Sequence, residues 1–166
     1  MPVPPPTSHR DQVHIVFVCW GNICRSIMAE RIARAMAHDA DMDAITFTSA
    51  AISTEETGHD IDLRAAKVLR AHGYDAGRHR AHQITTAEIA KADLVVVMEP
   101  FHRQILAGRF PAAKNIVLMT DFDPSLAPGT AIDDPWSGPD SGFDGTRALL
   151  EQAMPGLLEW CAEALA

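Results

Sequence analysis

Apolar residues in this chain fall into short dense runs, separated by stretches in which they recur every third or fourth position. The first run, residues 13–18 (VHIVFV), is β-branched and apolar at nearly every position rather than at alternate ones. A strand of that composition is covered on both faces, as in the middle of a parallel sheet. Further strands are predicted at 44–51, 94–98 and 115–119. Helical spacing predicts elements at 26–36, with Ser26 suited to its start, and at 60–72, closed by Gly73 just past the last turn. Shorter helices are predicted at 86–91, with Thr85 as its cap, and at 101–108, ending before Pro111. A final helix at 146–166 contains Gly156, which weakens its continuity. Residues 121–144 hold most of the remaining proline, glycine and aspartate and read as a long loop. Strands alternating with helices predict an α/β fold, a parallel sheet with helices on both faces. Such sheets bind ligands beyond the carboxyl ends of their strands, which directs attention to the loop after the first strand.

Composition narrows the class without naming an activity. The 166 residues make one domain, and 47% apolar content is enough for a core. Residues 1–12 (MPVPPPTSHRDQ) are expected to be a disordered proline-rich tail lacking the apolar stretch of a signal peptide, leaving 13–166 as the domain. Fourteen basic against 22 acidic residues give a net charge of −8, which argues against nucleic acid and anionic membranes as partners. No apolar run reaches the ~18 residues of a membrane span. Three cysteines are too few for a disulfide framework and suit a reducing cytoplasm.

The candidate chemistry lies in Cys19-Trp20-Gly21-Asn22-Ile23-Cys24-Arg25-Ser26. A helix start offers unpaired N–H groups and a positive dipole end to an anion. Consecutive loop amides add a nest for phosphate-like oxygens. Arg25 can grip two oxygens with its planar fork. In that field Cys19 is favoured as a thiolate, with Ser26 placed to donate a hydrogen bond to it. Gly21 and Asn22 are residue types that tolerate the positive φ of a tight cradle. No Gly-Lys-Ser/Thr follows, so this is not a nucleotide-binding loop. The anion reads as a substrate group attacked by sulfur.

Cys-x5-Arg-Ser after a strand is the signature of cysteine-dependent phosphatases. The longer string from Val18 through Cys19, Gly21, Asn22, Ile23, Cys24, Arg25 and Ser26 to Met28-Ala29-Glu30 resembles the low-molecular-weight protein tyrosine phosphatases. So do Thr48-Ser49-Ala50-Ala51, Leu63-Arg64-Ala65, His72-Gly73 and the stretch from His79 to Thr85, in family order, with the resemblance spanning about residues 13–162. It implies a flavodoxin-like three-layer sandwich, with a four-stranded parallel sheet flanked by helices. It also implies hydrolysis of phosphotyrosine in proteins through a cysteinyl-phosphate, without metal or cofactor, by a cytoplasmic monomer. Cys19 would be the nucleophile and Arg25 the phosphate clamp. Asp134, directly before Pro135, would be the general acid, with Asp133 its neighbour and competitor. Cys24 would be a resolving thiol that protects Cys19 from oxidation. Ile23 resembles the tyrosine branch, where the protein-arginine phosphatase branch has threonine. Trp20 and Trp136 are candidate walls of the aryl slot. His79 would brace the loop through Asn22 and Ser49.

Other readings are arsenate reduction on the same fold and a non-catalytic phosphopeptide-binding module. The chain departs from the family pattern at Ile27 (commonly proline), Trp136-Ser137 (often two tyrosines), Glu99 (usually aspartate) and His102 (often asparagine). Cys161 reads as a core residue, and Glu55-Glu56 as part of a solvated loop. No Cys/His spacing suited to zinc is present.

Overall fold

The computed structural model describes residues 3–166. In chain order it contains β1 (Val13–Cys19), α1 (Arg25–Asp39), β2 (Ile45–Ala51), α2 (Leu63–Ala71), α3 (Thr86–Lys91), β3 (Leu94–Val97), α4 (Pro100–Arg109), β4 (Ile116–Leu118), a 3-10 turn (Met119–Phe122) and α5 (Ser141–Leu165). The four strands form one parallel sheet in the order β2-β1-β3-β4.

β1 is central and almost wholly buried, which is why its sequence lacks an apolar/polar alternation. Ile15, Phe17 and Cys19 face the layer made by α1, α2 and α5. Val16 and Val18 face the layer made by α3 and α4. The result is the expected three-layer α/β sandwich. The chain order reverses about β1, so its carboxyl end opens onto the crevice where such sheets hold ligands. Cys19 is the last residue of that strand.

Local signals account for most boundaries. Thr85 caps α3 in a reciprocal box with Glu88. Gly73 lies beyond α2 at φ +82°, as a terminating glycine does. Several boundaries differ from the sequence reading: α2 starts three residues later than expected, with Asp62 as its cap, and α1 runs three residues further, to Asp39. Cys24 rather than Ser26 holds the N-cap position of α1, and it makes no side-chain cap. β4 is only three residues long, because the chain tightens at once into the 3-10 turn. α5 begins at Ser141 and runs unbroken through Pro155 and Gly156. Gly156 faces the 3-10 turn so closely that a Cβ there would stand 2.1 Å from the Phe122 carbonyl oxygen. The glycine is thus a packing device rather than a break.

Residues 3–12 form no helix or strand, yet they rest against the end of α5. Trp160 Nε1 donates to Pro4 O at 2.8 Å, Arg10 N donates to Ala164 O at 2.8 Å, and Arg10 pairs with Asp93. Met1 and Pro2 of the predicted tail lie outside the described residues. No described helix is long and apolar enough to cross a membrane.

Candidate active site

The loop between β1 and α1 forms the floor of a cleft at the carboxyl end of the sheet. Cys19, Trp20, Gly21, Ile23, Cys24 and Arg25 line the floor, and Glu55, Glu56, Asp134 and Trp136 form its walls. The backbone N–H groups of residues 21–25 donate to no acceptor among the described residues. This is the state of amides at the start of a helix that serve an outside anion.

Cys19 Sγ lies 3.1 Å from Ser26 Oγ and accepts from Ser26 N at 3.4 Å. The Ser26 hydroxyl accepts in turn from Asn22 Nδ2 at 2.9 Å, which leaves its own proton for the sulfur. Asn22 is fully buried at φ 60°, the left-handed turn the cradle needs, and its Oδ1 accepts from His82 N at 3.3 Å. His79 Nε2 bonds the Asn22 carbonyl at 2.6 Å. Burial lowers the His79 pKa, while the bond to Asn22 opposes that shift.

Arg25 is 1% exposed. Its Nη1 donates to Glu99 Oε2 at 2.9 Å and to Ile132 O at 2.7 Å, and its Nη2 lies 3.6 Å from Asp134 Oδ2. Its Nε is buried with no partner among the described residues. Behind Glu99, His102 is fully buried with Nε2 3.2 Å from Glu99 Oε2. Burial, aided by the charge of Arg25, pulls the His102 pKa down to about 3, so the ring is neutral. Asp134 Oδ1 accepts from Trp136 N at 3.1 Å, closing the turn over Pro135. Asp133 is exposed and does not line the cleft.

Trp20 stacks on Phe101 of α4, with ring centroids 5.9 Å apart, and its Nε1 donates to Glu55 Oε2 at 3.1 Å. Trp136 is exposed at the mouth. The Cys24 thiol is buried in the same floor. That burial, with Asp62 and Cys19 nearby, raises its pKa far above the usual thiol range. Cys161 is buried in α5, as the sequence suggests.

Ser49 is placed differently from the expected brace. Its hydroxyl donates to Glu30 Oε1 at 3.0 Å, and no hydrogen bond links it to the loop among the described residues. Glu55 and Glu56 lie in an open loop, as the sequence suggests, but both border the cleft, which it does not. Their only local signal was charge, which is common in loops. The partnership of Arg25 with Glu99 likewise has no signature in spacing.

A model of a family described as "Low molecular weight phosphotyrosine protein phosphatase" matches residues 14–166. The chain is 41% identical over 158 residues to low molecular weight protein-tyrosine phosphatase A of Mycobacterium tuberculosis, covering 94% of this chain and 96% of that protein. It is 35% identical over 151 residues to the low molecular weight phosphotyrosine protein phosphatase of Sus scrofa, covering 83% and 94%. A crystal structure of a protein tyrosine phosphatase from Entamoeba histolytica superposes with a TM-score of 0.86 at 25% identity, covering 93% of this chain and all of that one.

Proposed function

The chain belongs to the low-molecular-weight protein tyrosine phosphatase family, and on that premise we propose that Cys19, Arg25 and Asp134 carry its reaction. It is a phosphatase acting on phosphotyrosine through a cysteine nucleophile; arsenate reduction and a purely binding role are not favoured.

In the first step Cys19 Sγ attacks phosphorus in line, and the P–O bond to the tyrosine oxygen breaks. Asp134, protonated, gives its proton to the departing phenolate. The loop amides of residues 21–25 and Arg25 Nε hold the equatorial oxygens, most strongly as charge spreads in the transition state. In the second step Asp134 as carboxylate takes a proton from water, which attacks the cysteinyl-phosphate and releases phosphate. Ser26 Oγ, 3.1 Å away, stabilises the sulfur as thiolate in attack and departure. Asn22 and His79 hold the loop, and Trp20, Ile23 and Trp136 receive the aryl group. The observation that carries this reading is convergence: the strand-end sulfur, the buried arginine with its free Nε and a carboxylate from the loop between the 3-10 turn and α5 border one cleft.

Metal-free hydrolysis of para-nitrophenyl phosphate tests it. Cys19→Ser is expected to abolish turnover. Asp134→Ala is expected to lower it ~10²–10⁴-fold. The same loss in Asp133→Ala, with Asp134→Ala active, would overturn the acid assignment. We take residues 13–166 as the catalytic domain and the enzyme as a cytoplasmic monomer acting on phosphotyrosine-containing proteins. Three free buried thiols suit a reducing compartment, and gel filtration reads the oligomeric state.

A further inference from the structure

The walls of the cleft carry charge of one sign. Among the described residues lining it, Arg25 is the one cation, and it lies at the bottom, where the phosphate belongs. The free, buried Arg25 Nε points to an anion there. The other charged residues that line the cleft are Glu55, Glu56 and Asp134, all acidic. Arg64, which reaches the Trp136 carbonyl at the mouth at 3.0 Å, is already paired with Asp62 at 2.9 Å.

The two glutamates are held in place. Their segment follows β2 and is laced to the nucleophile loop by backbone bonds from Ile52 N to Cys19 O at 2.9 Å, Ser53 N to Trp20 O at 3.0 Å and Asp62 N to Ile23 O at 2.9 Å. Glu55 is fixed by Trp20 Nε1. Glu56 lies against the loop itself, since a Cβ on Gly21 would come within 3.2 Å of its Cγ. The partner of Glu56 is His59, at 2.6 Å on the exposed side of the same turn.

A phosphate dianion bound at the floor uses the arginine and the amides, and leaves the glutamates no cation among the described lining residues, since His59 bonds Glu56 from outside the cleft. An acidic residue next to the phosphotyrosine would then face like charge at close range. A lysine or arginine there would meet a fixed carboxylate. We infer that Glu55 and Glu56 select phosphotyrosine sites flanked by basic residues and reject acid-flanked ones. This substrate class rests on the phosphatase reading above.

The test uses two synthetic phosphotyrosine peptides, identical except for lysines or glutamates on either side of the phosphotyrosine. Para-nitrophenyl phosphate serves as a substrate without neighbours. The wild-type enzyme is expected to favour the lysine peptide in kcat/KM by about five- to tenfold at low salt. The ratio should shrink toward one at about 0.5 M salt, where screening is nearly complete. In Glu55→Gln/Glu56→Gln, which keeps the acceptor for Trp20, the ratio should fall to within about twofold. Equal rates or a preference for the acidic peptide in the wild type would overturn the inference. So would a preference that survives the double substitution or is insensitive to salt. If para-nitrophenyl phosphate is not hydrolysed at all, the phosphatase reading falls and the substrate class falls with it.

Discussion

Arg25 Nη1 donates to Glu99 Oε2 at 2.9 Å, joining the first residue of α1 to the residue that precedes α4. Glu99 holds the N-cap position of α4, yet its carboxylate makes no cap bond there. It is turned to the arginine instead. With Ile132 O on the same Nη1, it sets the plane of the guanidinium and so aims Nε.

Glu99→Ala should therefore weaken phosphate binding and lower kcat/KM by ~10–100-fold, in keeping with the loss of one partner from a largely desolvated charge pair. Glu99→Gln, which retains an acceptor, should recover part of it. The measurement is the inhibition constant for inorganic phosphate alongside thermal melting. A residue that served stability alone would lower the melting temperature and leave that constant unchanged.

His102 gives a pH dependence of stability. Its folded pKa, about 3, lies below the ordinary histidine value, because burial and Arg25 disfavour the charged ring. The unfolded chain thus binds the proton more readily. The cost is absent above about pH 6.5 and grows as pH falls toward 3, by up to about 1.4 kcal/mol per pH unit. Urea unfolding between pH 7 and 4 should show this decline, and His102→Asn should flatten it. An NMR titration that places the ring near pH 6 would contradict the account.

Cys24 is a buried thiol in the same floor as the nucleophile, with its ionisation strongly suppressed. At neutral pH, alkylation by iodoacetate should fall on Cys19, with Cys24 labelled only after unfolding. If Cys24 resolves an oxidised Cys19, inactivation by peroxide should be reversed by added thiol in the wild type and largely irreversible in Cys24→Ser. Equal recovery in both would remove the protective role.

Gly156→Ala should destabilise the domain by about 1–3 kcal/mol, since the new Cβ would meet the Phe122 carbonyl oxygen at 2.1 Å and α5 would have to move off the 3-10 turn. Denaturant midpoints read this directly. An unchanged midpoint would mean that the two elements separate at no cost.

The sequence alone determined whatever is local. The unbroken apolar run at 13–18 identified the central strand, Thr85 and Gly73 marked two helix ends, and the segment from Cys19 to Ser26 held its chemistry in eight consecutive residues. Backbone sterics, capping and a loop nest are short-range effects, so a short string can encode them. Tertiary structure decided the partners. Glu99 is 74 positions from Arg25, and the sheet order β2-β1-β3-β4 brings the ends of β1 and β3 side by side. The same order sets the segment after β2 along the nucleophile loop, which turns Glu55 and Glu56 from loop charges into a wall of the cleft. It also leaves Ser49 on Glu30 rather than on the loop. A carboxylate or hydroxyl carries no local record of which distant group will neutralise it, because that depends on which strands lie adjacent and on what each helix buries.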